Sequence, residues 1–87
     1  MNKGDIVTVL NVSGEFVGRL IEETDNNVTL ENPRMLVHTE QGIGFAQGVS
    51  VTAQQVKEIT FRTIVFVAPT DDAIQKNWTQ AVTGIVV

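Results

Sequence analysis

Residues 18–30 read GRLIEETDNNVTL. Two runs rich in β-branched and apolar residues flank a polar tip, Asp25-Asn26-Asn27, as two strands of a hairpin flank their turn. Such a tip has two readings. In one, all three side chains bond to nearby backbone and the tip is a solvated turn. In the other, it is a loop that offers those same side chains to a ligand. Gly18 stands inside the first strand, where a side chain would normally be preferred, so it marks a bulge or a sharp bend. A bend there lets one short strand serve two halves of a small barrel.

Outward from this stretch the pattern stays extended. In residues 4–12, GDIVTVLNV, the set Ile6, Thr8 and Leu10 opposes Val7, Val9 and Asn11. Ser13-Gly14 supplies a turn, and EFVGRLIEE returns as the second strand of the hairpin. After the polar tip, VTLEN forms a third strand broken at Pro33. Proline cannot donate to a ladder, so it belongs at an edge or a break. RMLVHTEQ resumes as the second half of the same bent strand. The glycines of residues 41–48, QGIGFAQG, read as a hairpin connection. A fourth strand runs from Val49 onwards, and TIVFV gives a fifth, stopped by Ala68-Pro69.

From Thr70 the periodicity changes. Thr70 suits a helix cap, Asp71 and Asp72 suit the positive N-terminal end, and Gly84 suits the exit. Ile74, Trp78, Ala81 and Val82 share one face, which predicts an amphipathic helix over residues 70–82 that packs on the strands. The expectation is an all-β fold with one helix: a small, strongly bent, five-stranded antiparallel barrel over residues 4–68 and a C-terminal helix.

Composition narrows the chemistry. At 87 residues the chain reads as a single domain, 1–87. A chain this short has a small core, and small domains gain stability from disulfides, metals or oligomerisation. With no cysteine and only His38, the first two are disfavoured. The net charge is −4, and seven of the ten acids lie in the first forty residues, so a broad basic footprint for phosphate is absent. Nucleic-acid contact therefore has to come from a few arginines and lysines repeated by symmetry. No apolar run reaches the roughly 18–20 residues needed to span a bilayer. The opening residues lack a signal-peptide pattern, so a cytoplasmic location is expected.

Catalytic arrangements are missing. Glu22-Glu23 and Asp71-Asp72 are adjacent in sequence and make no convincing acid–base dyad. No nucleophile has a base beside it. We expect no enzyme activity, no catalytic residues, no cofactor and no metal. His38 reads as a surface or inter-strand residue, and Arg34 and Lys57 read as ordinary surface charges.

The run Ile64-Val65-Phe66-Val67 lacks the alternate polar residues of a half-exposed strand. Either it is covered on both faces or it is an edge that needs a partner, since a bare apolar edge invites aggregation. Pairing with an identical copy in a closed ring removes the edge.

In order and spacing these residues resemble the Sm-like (LSm and Hfq) family, in particular its divergent, phage-type members. The likeness covers roughly residues 4–68. The first motif is matched by Val7, Val9, Leu10, Gly14, Gly18, Leu20, the Asp25-Asn26-Asn27 tip and Leu30. The second is matched by Phe61-Arg62-Thr63 followed by Ile64 to Val67. The resemblance implies a five-stranded Sm-like or SH3-like barrel that closes into homo-oligomeric rings, with the fourth strand of one subunit pairing with the fifth of the next. It implies uridine- or adenine-rich single-stranded RNA at the pore, an RNA-chaperone or RNA-metabolism role, and the cytoplasm of a bacterial host.

Carried over position by position, Asn27 falls on the base-contacting asparagine and Arg62 on the arginine that approaches the base. The implied pore loops hold Asp25, Asn26, Asn27, Arg62 and Thr63, and the implied interface is Ile64, Val65, Phe66 and Val67. Asp25 or Asn26 stands where the family carries a bulky stacking residue, and Thr63 where it carries glycine. For Arg62 the plainer reading is an inter-strand ion pair, for instance with Glu58. These departures and the acidic balance sustain the alternative of a structural or protein-binding ring that keeps the fold without RNA. A monomeric adaptor barrel is the third option. No membrane partner is expected.

Overall fold

In a computed structural model the chain is described over residues 1–49 and 57–84. It is mostly antiparallel sheet with one C-terminal helix. The strands are β1 (Ile6–Asn11), β2 (Gly14–Glu23), β3 (Asn27–Thr39), β4 (Gly42–Phe45), β5 (Glu58–Arg62) and β6 (Ile64–Pro69), followed by α1 (Asp72–Thr83). They form a six-stranded sheet in the order β4-β3-β2-β1-β6, with β5 also paired to β3.

Two expectations are corrected here. The glycine-rich segment taken as a connection contains a strand of its own, with Gly42 opposite Thr39 and Phe45 opposite Leu36. Glycines in an edge strand lose side-chain packing but keep their ladder bonds, so period alone hid it. The sheet also is not a closed barrel. β5 and β6 lie at its two ends and are joined by Thr63 alone. The commonest tight hairpins need about two loop residues, so one residue turns the chain away instead of zipping the strands. The fourth strand, expected from Val49, is observed only from Glu58: Val49 lies in a bend, and residues 50–56 lie outside the described residues.

The expected bend is present. Pairing of β2 with β3 shifts between Val17 and Arg19, so Gly18 faces the Asn32-Pro33 step. A Cβ on Gly18 would lie 3.0 Å from the Leu30 Cβ and 3.1 Å from the Glu31 carbonyl oxygen. Close approach of the two backbones is what requires glycine. Asn32 takes a left-handed φ of 50°. Its N–H donates to the Lys57 carbonyl at 2.6 Å. Pro33 sits in the gap on β3 between the β5 ladder, which ends at Glu31, and the β4 ladder, which starts at Leu36. It therefore occupies the break that its missing donor demands.

The bend curls the sheet around one apolar interior of Val7, Val9, Phe16, Leu20, Val28, Leu30 and Phe61. The Phe16 and Phe61 rings meet at 4.6 Å although β3 lies between their strands. The helix covers the outside of the bend. Trp78 is 1% exposed, its indole N–H donates to the Asn32 carbonyl at 3.0 Å, and the Arg19 guanidinium lies 5.7 Å from its ring centroid. Ile74 and Val82 are half-buried beside it, whereas Ala81 is exposed.

The helix starts later than expected. Asp71, not Thr70, is its cap, accepting from the Ala73 and Ile74 N–H groups at 3.1 and 3.4 Å. Thr70 is engaged elsewhere: its hydroxyl pairs with that of Thr8 at 2.9 Å. β6 also continues through Ala68 to Pro69, opposite Thr8 and Val7. The exit at Gly84 is left-handed, with its N–H donating to the Gln80 carbonyl at 2.8 Å.

Candidate functional site

The register of β3 with β5 puts Asn27 opposite Arg62. The β2–β3 turn and the β5–β6 corner therefore emerge at one end of the sheet. Together they line an open cleft of about 420 Å³, bounded by Asp25, Asn26, Asn27, Arg62, Thr63 and Ile64. The pore-loop residues expected from sequence are thus neighbours in space. Ile64 joins them, though the sequence reading placed it only at the subunit interface.

The turn itself is held by a residue that reading passed over. Thr24 closes it: its N–H donates to the Asn27 carbonyl at 2.9 Å, and its hydroxyl accepts from the Asn27 N–H at 3.2 Å. A hydroxyl bonding the backbone three residues on is a common turn device, and it was the available signal. Because Thr24 does this work, the side chains of Asp25, Asn26 and Asn27 make no hydrogen bond among the described residues. The tip is thus the solvated turn of the plainer reading, except that Thr24, and not those three side chains, bonds its backbone.

Arg62 is exposed and likewise has no hydrogen bond or ion pair among the described residues. Glu58, its suggested partner, lies at the far end of β5. Among the described residues, ion pairs form between Arg19 and Glu31 at 3.6 Å and between Lys57 and Glu31 at 4.0 Å, near the bend. Thr63 has a φ of 56°. A β-branched residue in that region is strained by roughly 1–2 kcal/mol, and such strain concentrates at functional sites.

No protein-family model matches the chain, and no curated protein matches it significantly.

Beside the cleft, the four-residue seam Ile64 to Val67 divides. Ile64 and Val67 pack against the interior, while Val65 and Phe66 are 61% and 48% exposed. A shift in the β1–β6 register between Leu10 and Asn11 accompanies the change of face. Only the middle pair is apolar surface. The outer edges of β5 and β6 have no partner strand among the described residues.

The remaining sequence candidates fall away from this end. His38 is exposed near the tip of the β3–β4 hairpin, opposite Ile43. Among the described residues no cluster of acids and histidine could hold a metal ion. Arg34 is no plain surface charge: it is half-buried and donates to the Gln47 carbonyl at 2.6 Å. Lys57 is exposed, as expected, apart from its long contact to Glu31. No helix among the described residues is long and apolar enough to cross a membrane.

Proposed function

We propose that the chain is an Sm-like ring protein that binds single-stranded RNA at the end of the sheet formed by the β2–β3 turn and the β5–β6 corner. The observation that carries this reading is the shared cleft. A guanidinium, a carboxylate and two amides line it, and their side chains make no hydrogen bond among the described residues. Side chains not bonded to protein keep their donors and acceptors for a ligand, at a cost of about 0.5–1.5 kcal/mol for each rotamer-rich side chain ordered on binding.

Assembly is supported by the two strand edges. β5 and β6 each pair on one side only among the described residues, and Val65 and Phe66 add exposed apolar surface to β6. Joining β6 of one copy to β5 of the next is a head-to-tail contact, the kind that makes a ring where the rotation between copies closes. The clefts then repeat around the centre, so that one weak site per subunit becomes a multivalent one.

Titration of short labelled RNA at low salt, together with sedimentation, tests both halves. We expect a homo-oligomer that binds RNA and loses that binding in Arg62→Ala without losing assembly. A protein that sediments as a monomer at high concentration sinks the ring, and silence toward every RNA sinks the ligand. The second reading, a structural or protein-binding ring without RNA, is favoured by one feature: among the described residues Arg62 is the only cation lining the cleft, and Asp25 offsets it. That reading predicts an oligomer that binds no RNA.

A further inference from the structure

Within the reading of the cleft as an RNA site, and resting on it, we propose that the cleft selects guanine over the other bases. The reason is the pairing that does not occur. Asp25 and Arg62 line one cleft, yet they form no ion pair with each other among the described residues. The carboxylate stays an acceptor only, and the guanidinium a donor only. A ligand that satisfies both must present donors to one and acceptors to the other.

The four bases differ in this respect. Uracil presents two carbonyl acceptors around a single N–H, so a carbonyl meets the carboxylate and is repelled. Adenine and cytosine each present one exocyclic amino group. Guanine alone carries two adjacent parallel donors, N1–H and the N2 amino group, which match the two oxygens of one carboxylate. Its other edge carries O6 and N7, the acceptor pair that an arginine fork takes bidentately. Asn26 and Asn27, with amides that both donate and accept, serve the ribose or the remaining base edge. Phosphate is disfavoured because Asp25 cancels the one positive charge available to it.

The strained corner at Thr63 fits this assignment. It turns the chain at once after Arg62, so the arginine is the last residue of the β5 ladder and stands at the lip of the cleft.

The test uses three labelled hexanucleotides with the intact protein: all uridine, uridine alternating with guanosine, and uridine alternating with inosine. Inosine keeps O6 and N7 but lacks the N2 amino group. We expect the guanosine strand to bind about tenfold tighter than either of the others. Asp25→Asn should erase the preference for guanosine over inosine while leaving residual binding through Arg62. Equal binding of all three strands overturns the guanine assignment and leaves the RNA reading standing. A guanosine preference that survives Asp25→Asn overturns it as well. Absence of binding to any strand defeats the RNA reading beneath it, and the guanine assignment goes with it.

Discussion

The bend and the tip of the sheet lie on the same two strands and are built on opposite rules. At the bend, Gly18 lets two backbones close, the left-handed Asn32 gives its N–H to Lys57 and its carbonyl to Trp78, and the indole is buried. At the tip, Thr24 satisfies the backbone of the turn, the side chains of Asp25, Asn26 and Arg62 reach no protein partner among the described residues, and a β-branched residue holds a left-handed corner. One end spends its polar groups on the fold. The other leaves them unbonded to protein among the described residues.

The difference predicts how substitutions divide. Trp78→Ala should have the largest effect, about 3–5 kcal/mol of stability, through lost burial and an orphaned Asn32 carbonyl. That is a large fraction of the stability of so small a domain, and urea denaturation measures it. A loss below about 1 kcal/mol would show that the helix is not what secures the bend. Gly18→Ala comes next, at about 1–3 kcal/mol, because the added methyl meets the Leu30 Cβ and the Glu31 carbonyl oxygen, neither of which can swing aside.

At the tip the signs and sizes change. Thr63→Gly relieves the left-handed corner but frees the unfolded chain, so we expect a gain of less than about 1 kcal/mol. The informative outcome is its combination with function: a more stable variant that binds RNA less well would mean that the corner orients Arg62. Asp25→Ala should leave stability within about 0.5 kcal/mol, as for other surface changes away from packed features. If thermal melting instead shows a clear loss, the tip is structural and the contrast between the two ends collapses.

Much of the bend was legible in the chain. A glycine inside a β-branched run and a proline in the facing strand are local signs with strong physical causes, and both fell where backbone geometry needs them. The alternation of β1 and the Ile74–Trp78 helix face were legible for the same reason. What was not legible came from competition between distant groups. Thr70 is a good cap by type, but Thr8 takes its hydroxyl, and Asp71 caps instead. The β4 glycines give no period to read, and they become a strand only because β3 extends far enough to pair with them. At the site, the expected residues met, but Thr24 and the double placement of Ile64 went unseen. Thr24 had a local signal in its hydroxyl three residues before Asn27, whereas the place of Ile64 at the cleft has none apart from the register of the ladders.

Sequence alone determined the periods, the turn chemistry and the missing cysteines, because each depends on residues close together in the chain. The tertiary structure decided the rest: that one residue between β5 and β6 leaves the sheet open, that Asn27 faces Arg62, and that Asp25 and Arg62 share a cleft without pairing. Those facts depend on strand register, and register is set by how the whole interior packs around Phe16, Leu30 and Phe61.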